Sequence, residues 1–316
     1  DVYKRQVFEL VTWALDESHT KGDLKERILA DPDRFIERDP DLPAVLLDQR
    51  AAGKKLLLIT NSEWPYTREV MAYAFDPLLP AGQTWRELFD IVICSASKPG
   101  FFSYSSPAYC IEDEDEYLLR PHIGPFAMGC AYVGGNASTV ESTLGIAGGE
   151  LLYVGDHLFG DVHVTKDVLR WRTALIAREL EDEIRDAIDF APQERALVDL
   201  MSRKIELDRY QAQVRMARER GEGGAGRQLD EITKEALALD EKIAPLARAA
   251  GELGSSAWGP LMRAGNDKSL FARQVEKYAD VYTSRVSNLR YETPFAYLRA
   301  ARGSLPHDRA GVTHPG

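Results

Sequence analysis

Residues 150–162, ELLYVGDHLFGDV, contain the pattern on which the fold prediction rests. The apolar run at residues 151–154 has the length and composition of a short buried strand. Gly155 then opens a turn that presents Asp156 and, further along, Asp161. Carboxylates directly after a strand supply the oxygen ligands that a hard divalent cation prefers. This stretch therefore predicts a strand whose carboxyl end is a candidate cation site.

Apolar runs and helical patterns alternate on either side of this stretch. Further buried strands are predicted at residues 55–62, 91–94 and 171–177. Helices are predicted at residues 39–53, 66–76, 138–146 and 164–169, with Ser138 as an N-cap. This alternation over about 130 residues predicts an α/β fold with a parallel sheet and helices on both faces. Residues 101–133 interrupt it with strand-like pieces around an acidic loop, which predicts a β-hairpin.

The sequence changes character after Leu180. Residues 193–220 form a charged helical pattern that ends at the glycine-rich residues 221–226. A second helical pattern follows, with apolar residues spaced alternately by three and four: Leu229, Ile232, Ala236, Leu239, Ile243 and Leu246. This heptad spacing predicts an antiparallel helical hairpin. The aromatic, amphipathic residues 270–301 are expected to be mainly helical and to pack on the sheet or on another subunit.

The composition is that of an ordinary globular protein, with 44% hydrophobic and 28% charged residues. A net charge of −11 argues against a nucleic-acid partner, because nucleic-acid surfaces need clustered lysine and arginine. No apolar run approaches the roughly 18 residues of a membrane helix. The three cysteines, Cys94, Cys110 and Cys130, lack CxxC spacing. This usage favours a reducing, cytoplasmic location and no structural zinc.

Polar residues follow each of three predicted strands. Thr60, Asn61 and Ser62 end the first and lead into a strand-to-helix turn that suits a phosphate, although such residues also serve as helix caps. Lys98 follows the second and could neutralise a phosphoryl oxygen, or could be a surface residue. Because the carboxyl ends of parallel strands share one edge of a sheet, these residues are expected to lie near one another.

Asp156 and Asp161, which follow the third strand, complete the pattern. Alone, Asp156 could equally be a turn residue or a metal ligand. The order of TNS, lysine and GDxxxxD on successive strands suits magnesium-assisted phosphoryl transfer. Mg²⁺ takes few protein carboxylates and fills its shell with phosphate oxygens and water.

These motifs together resemble the haloacid-dehalogenase (HAD) superfamily and, within it, the cytosolic purine 5′-nucleotidase family. The resemblance rests on LLLITNSEWPYTREVMAYAFD (56–76), ASKPGFF (96–102), LLYVGDHLFGDV (151–162) and WRTALI (171–176). It extends to HTKGDLKE (19–26), WGPLMRAGNDKSLFARQVEKYADVY (258–282) and PFAYLRAA (294–301). The heptad hairpin is the least similar part.

The resemblance implies a HAD-like Rossmannoid parallel sheet with helices on both faces, plus a C-terminal helical region with a helical hairpin. Residues 1–45 would be the remnant of a cap region and connector, and residues 46–185 the α/β core. Residues 186–254 would form the hairpin, and residues 255–316 C-terminal helices and a tail that pack on the core or on a partner. A dimeric or tetrameric homo-oligomer is expected.

The resemblance also implies a two-step phosphatase that needs Mg²⁺. Thr60, Asn61 and Ser62 would hold the transferring phosphoryl group, and Lys98 would stabilise its charge. Asp156 would bind Mg²⁺, and Asp161 would orient Lys98 or the waters of the metal.

Other matched positions concern nucleotide recognition. Asp16, His19 and Lys25 match positions that line the substrate pocket of the family, whose substrates include IMP and GMP. Thr12 departs from the pattern, because the family has a base-contacting arginine there. Phe159, Gln274 and Tyr278 match its regulatory nucleotide pocket.

The attacking aspartate of the superfamily, in a strand ending DxDxT, has no counterpart before Thr60. The DxD spacings at Asp31 and Asp113 follow no apolar strand. The expectation is a fragment whose nucleophile lies upstream of Asp1, and which is inactive alone. Alternatives are a non-catalytic nucleotide-binding or oligomeric scaffold of the same fold, and phosphotransfer to a nucleoside in place of hydrolysis.

Overall fold

The computed structural model describes residues 2–20, 23–254, 259–265 and 267–300. The chain divides into two compact units. The first comprises Asp1–Ile176 and Tyr278–Gly316, and the second comprises Ala177–Lys277. The division into residues 1–45, 46–185, 186–254 and 255–316, which was made from the sequence, stays a prediction.

The first unit contains seven of the described α-helices: α1 (Val2–Thr20), α2 (Asp23–Ala30), α3 (Pro32–Phe35), α4 (Leu42–Ala51), α5 (Trp64–Phe75), α6 (Gly100–Ser103) and α7 (Ala137–Leu144). Its strands are β1 (Leu57–Ile59), β2 (Ile91–Cys94), β3 (Ala108–Asp113), β4 (Leu118–His122), β5 (Cys130–Gly134), β6 (Leu152–Gly155), β7 (Arg172–Ile176) and β10 (Val281–Thr283). Short 3-10 helices lie at Asp76–Leu78, Trp85–Leu88, Gly148–Glu150 and Val286–Tyr291.

Five of these strands form a mixed sheet in the order β1-β2-β5-β3-β4. Strands β1, β2 and β5 are parallel, with Leu57 opposite Ile91 and Ile91 opposite Cys130. The predicted hairpin is confirmed, since β3 and β4 are antiparallel, and β3 is also antiparallel to β5. The α/β class predicted from the sequence is therefore confirmed, with a sheet that is only partly parallel.

Strand β2 is buried on both of its faces. Ile91 and Ile93 pack in one cluster with residues of α6 and α7, whereas Val92 and Cys94 pack in another with residues of α4 and α5. Side chains alternate between the faces of a strand, so both faces of β2 are covered by helices. Burial raises the pKa of the Cys94 thiol to about 11. Cys94 is therefore a core residue.

A second sheet contains β6, β7 and β10, all parallel, in the order β10-β7-β6. The described strands of the first unit thus lie in two sheets, where the sequence predicted one. Strand β10 falls in a segment that was expected to be mainly helical. The Asp280 carboxylate explains the difference, because it accepts hydrogen bonds from the Thr173 N–H at 2.9 Å and from Lys166 Nζ at 2.5 Å. These long-range contacts hold β10 beside β7.

Two local predictions need correction. The N-cap of α7 is Asn136, whose side chain accepts the Thr139 N–H at 3.0 Å, and Ser138 lies inside the helix. The helix predicted at residues 164–169 is π-helical and begins earlier, with segments at Leu158–His163 and Thr165–Leu169. π-Helical turns occur frequently at functional sites.

The second unit contains α8 (Leu180–Glu219) and α9 (Ala225–Gly251), most of α10 (Leu270–Tyr278), and the two-residue strands β8 (Arg263–Ala264) and β9 (Asp267–Lys268). The predicted hairpin is confirmed: Leu229, Ile232, Leu239 and Ile243 of the heptad seam are buried. Lys204 pairs with Asp240, and Gln211 Nε2 donates to Thr233 Oγ1 at 3.3 Å, so the contacts run in opposite directions along α8 and α9 and the two helices are antiparallel. In the described residues, we find no helix long and apolar enough to cross a membrane.

Candidate active site

The loop after β1 is tied through its backbone to the loop after β2. The Ala96 N–H donates to the Thr60 carbonyl oxygen at 3.0 Å, and the Ser95 N–H donates to the Ser62 carbonyl oxygen at 2.9 Å. The Ser62 N–H in turn donates to Thr60 Oγ1 at 3.1 Å. These bonds extend the β1–β2 pairing past the strand ends and bring the TNS residues beside the lysine loop.

Asn61 holds the backbone of Lys98. Its Oδ1 atom accepts the Lys98 N–H at 2.6 Å, and its Nδ2 atom donates to the Lys98 carbonyl oxygen at 3.0 Å. Neither Asn61 nor Ser62 caps helix α5, because the N-cap is Glu63, which makes no side-chain cap hydrogen bond. The alternative that these residues are helix caps is therefore wrong.

The turn that carries Lys98 contains an unusual backbone. Ser95 and Ser97 have φ angles of 46° and 59°, in the left-handed region that non-glycine residues rarely adopt. Each such residue costs roughly 1–3 kcal/mol, and such strain clusters at functional sites. The loop is held in this shape by the bonds to Thr60 and Asn61.

Lys98, Tyr153 and Asp161 form a closed set of hydrogen bonds. Lys98 Nζ lies 3.1 Å from Asp161 Oδ1 and donates to the Tyr153 hydroxyl at 2.9 Å. The Tyr153 hydroxyl donates to the same Asp161 oxygen at 3.1 Å. The side chains of Lys98 and Asp161 are 17% and 6% exposed, so this ion pair is largely shielded from water.

Asp161 is fixed from several sides. Its Oδ2 atom accepts the His157 N–H at 3.3 Å, and its carbonyl oxygen accepts the Thr165 hydroxyl. Gly155 makes room for it, because a Cβ atom there would lie 2.7 Å from Asp161 Oδ2. The glycine of the GDxxxxD motif is therefore needed for the position of its second aspartate.

The Tyr153 phenol stays protonated. Burial raises its pKa well above the usual value, and the negative charge of Asp161 and the hydrogen bond to it raise the pKa further. A protonated phenol has one hydrogen to donate and an oxygen that accepts. Tyr153 can therefore accept from Lys98 and donate to Asp161 at the same time.

Asp156 follows β6 directly and is exposed. Its carboxylate has no hydrogen-bond or ion-pair partner among the residues that the structure describes, so it is available to a cation. In the same residues, no group of three histidine, cysteine, aspartate or glutamate side chains could hold a metal ion. The Asp161 carboxylate is occupied by Lys98, Tyr153 and a backbone N–H. Asp156 thus fits one ligand position of a hydrated Mg²⁺ ion, and the described residues do not complete the site.

Of the predicted substrate residues, only Lys25 can be placed. Its Nζ atom lies 2.5 Å from the Glu63 carboxylate, and this hydrogen bond lowers the pKa of Glu63. Glu63 follows the TNS residues directly, so Lys25 lies beside the loop after β1. The side chains of Asp16 and His19 lie outside the described residues.

Two of the predicted effector residues contact one histidine. The His163 ring lies 4.2 Å from the Tyr278 ring and 6.1 Å from the Phe159 ring, measured between centroids. Gln274 belongs to the second unit. The structure therefore brings Phe159 and Tyr278 together around a residue that the sequence did not single out.

The sequence also missed Tyr153. It lies in the apolar run of β6, and a tyrosine in a buried strand is ordinarily a core residue. Its sequence context gives no sign that its hydroxyl reaches Lys98. The alternation of side chains along β6 could have placed it on the same face as Gly155, next to the GDxxxxD turn.

The fold and site define an α/β protein with a shielded lysine–aspartate pair beside a threonine loop at its strand ends. The model of the 5′-nucleotidase family matches residues 1–310, and the chain belongs to that family. It is 28% identical over 306 residues to a 5′-nucleotidase domain-containing protein of Dictyostelium discoideum, covering 96% of this chain and 49% of that protein. It is also 28% identical over 309 residues to 5′-nucleotidase domain-containing protein 2 of Homo sapiens, covering 96% and 54%. The chain thus spans about half the length of these relatives.

Proposed function

We propose that this chain contributes the phosphoryl-binding part of a Mg²⁺-dependent 5′-nucleotidase of HAD type, which hydrolyses nucleoside 5′-monophosphates. One observation carries the proposal: the shielded Lys98–Asp161 pair lies at the strand ends where the TNS loop is also held. A scaffold has no need to hold a cation in this place. Charge stabilisation by such preorganised groups is typically the largest contribution to catalysis of phosphoryl transfer.

The residues have distinct roles in this proposal. Thr60 and Ser62 hold oxygens of the transferring group, and Lys98 stabilises the negative charge on them. Asn61 fixes the backbone of Lys98, and Asp161 fixes its side chain. Asp156 would be one ligand of Mg²⁺, which when bound supplies charge to the phosphoryl oxygens.

The attacking carboxylate is proposed to lie outside residues 1–316. Asp113 is excluded by position: β3 is antiparallel to β5, so its end is at the edge of the sheet opposite the ends of β1 and β2. Its Oδ1 atom accepts the N–H groups of Asp115 and Glu116, as expected for a turn. Asp31 precedes the four-residue helix α3, without a strand before it. Both DxD sites are thus unsuitable.

The proposed reaction has two steps. The attacking carboxylate forms a bond to phosphorus, the bond from phosphorus to the nucleoside oxygen breaks, and a general acid protonates that oxygen. Water then attacks the aspartyl-phosphate, releasing orthophosphate and the free carboxylate. Through both steps the geometry of the phosphoryl group beside Lys98 changes, while Asp161 and Asn61 keep Lys98 in place.

IMP and GMP are the proposed substrates, by resemblance, with Asp16, His19 and Lys25 lining their pocket. Thr12, in place of the arginine of the family, is expected to weaken contacts to the base. Phe159, Gln274 and Tyr278 are proposed as an effector site. We also propose that the protein is a cytoplasmic homo-oligomer that binds neither nucleic acid nor membranes.

Asp156→Asn in the full-length gene product is expected to abolish magnesium-dependent release of phosphate from IMP or GMP. The change removes a negatively charged oxygen ligand and leaves the shape of the side chain nearly unaltered. Phosphate release is measured with and without Mg²⁺. The control is Asp199→Asn, the same change at an exposed position of α8, which should leave the rate unaltered. Full activity of Asp156→Asn would contradict the proposal that Asp156 is a Mg²⁺ ligand.

Residues 1–316 alone are expected to release no phosphate. Measurable turnover by residues 1–316 alone would contradict the proposal that the attacking carboxylate lies outside them.

A second candidate function is a non-catalytic, oligomeric scaffold of the same fold. The long helical hairpin favours it, because α8 has 40 residues, among which Ile188, Val198 and Ile205 are exposed. The two candidates differ in one result, since a scaffold would release no phosphate from any nucleotide. Transfer of the phosphoryl group to a nucleoside would instead yield a new nucleotide when a nucleoside acceptor is added.

A further inference from the structure

The hydroxyl of Tyr153 lies between the two charged groups of the site. It accepts a hydrogen bond from Lys98 Nζ at 2.9 Å and donates one to Asp161 Oδ1 at 3.1 Å. A lysine ammonium has three N–H donors in tetrahedral directions. Tyr153 and Asp161 take two of them, and the described residues provide no further hydrogen-bond acceptor for the third. The direction of that third N–H is therefore set by the other two.

The ring of Tyr153 is held rigidly enough to set this direction. The residue is 8% exposed, and its ring packs edge-on against Phe102 at 5.1 Å between centroids. Trp171 contacts both rings, at 6.4 Å from Tyr153 and 6.1 Å from Phe102. Phe102 belongs to α6, which follows the lysine loop directly. The same packing thus fixes the phenol and the start of the segment after Lys98.

Asp161 alone would hold Lys98 less precisely. A single carboxylate oxygen constrains the distance to an ammonium, whereas the ammonium can still swing around that contact. A second acceptor at a different angle removes this freedom. Tyr153 supplies it with a neutral group, so it adds no second negative charge beside Lys98.

We propose that Tyr153 is a positioning residue for phosphoryl transfer, which fixes the ammonium of Lys98 so that its third N–H points at the transferring phosphoryl group. This inference rests on the proposed function, because it assigns Tyr153 a role only through Lys98. The phenol does not exchange a proton in either step. It stays a donor to Asp161 and an acceptor from Lys98 throughout.

Tyr153→Phe in the full-length gene product is expected to lower kcat for IMP by about 10- to 100-fold, since a small misplacement of a catalytic group has effects of this size. KM should change less than about threefold, because substrate binding depends on groups that the change leaves in place. The matched control is Tyr132→Phe, which removes the hydroxyl of another buried tyrosine. That hydroxyl accepts the Ala127 N–H at 2.7 Å, away from Lys98, so kcat should be unaltered.

A double-mutant cycle separates positioning from a folding defect. In a Lys98→Arg background, Tyr153→Phe should lower kcat by less than about threefold further, because the geometry that Tyr153 maintains is already lost. A folding defect would lower kcat equally in both backgrounds, and that result would overturn the inference. Equal kcat for Tyr153→Phe and Tyr132→Phe would overturn it as well. If the wild-type protein releases no phosphate, the proposed function itself fails, and this inference fails with it.

Discussion

Asp161→Ala is expected to lower kcat for phosphate release by about 10³-fold, because it frees Lys98, which we propose stabilises charge in the transition state. Asp161 accepts hydrogen bonds from both Lys98 and Tyr153, and its side chain is only 6% exposed. Removing it leaves a mostly buried ammonium without a counter-ion. Loss of one partner of a buried ion pair typically costs about 3–5 kcal/mol in the free energy of unfolding. Both quantities can be measured on the full-length gene product, by steady-state kinetics and by urea unfolding.

The matched control for this prediction is Asp167→Ala. Asp167 lies in the same π-helical region, but its carboxylate is 57% exposed and pairs with His163 at 3.1 Å. An exposed pair contributes at most about 1 kcal/mol, so the control should be close to wild type in stability and kcat. If Asp161→Ala and Asp167→Ala behave alike, Asp161 has no part in holding Lys98.

Gly155→Ala is expected to disrupt the same site through one added methyl group. Its Cβ atom would lie 2.7 Å from Asp161 Oδ2 and 2.8 Å from Asp161 Cβ, so the aspartate must shift from the position in which it binds Lys98. Overpacking of this kind costs about 1–3 kcal/mol in the free energy of unfolding. The displaced carboxylate should also lower kcat by about 10²-fold, since misplacement of a catalytic group has effects of this order. Thermal unfolding and kinetics on the same preparation test both.

Gly149→Ala is the control for that change. Gly149 lies shortly before β6, and a Cβ atom there would meet no atom within 4 Å. The same chemical change should therefore leave stability and kcat near the wild-type values. Wild-type kcat in Gly155→Ala would show that Asp161 is not held where the structure places it.

The sequence predicts those parts of this fold that depend on local pattern. Strands β1, β2, β6 and β7 lie at apolar runs, and the heptad spacing in α9 predicts the helical hairpin. These predictions need no knowledge of specific contacts. Lys98 meets Asp161 as the sequence predicted, but the rule that parallel strands end at one edge of a sheet does not by itself explain the contact, because β2 and β6 lie in different sheets.

Apart from the N-cap of α7 and the π-helical segments, the features that sequence reasoning missed depend on contacts between distant residues. Strand β10 exists because Asp280 bonds to Thr173 and Lys166. From the sequence alone Asn61 could be a helix cap, whereas in the structure its side chain bonds to the Lys98 backbone. Tyr153 resembles a core residue because its hydroxyl differs from a phenylalanine ring only in its hydrogen bonds. The single predicted sheet is two sheets, since strand pairing is also a long-range property.

The central claim is that the ends of β1, β2 and β6 form one phosphoryl site. The most direct measurement is a crystal structure of the full-length gene product grown with tungstate, a mimic of phosphate. The account predicts that the oxyanion accepts hydrogen bonds from Lys98 Nζ and Thr60 Oγ1, with Lys98 still bonded to Tyr153 and Asp161. Tungstate bound elsewhere, with no contact to Lys98 or Thr60, would contradict it.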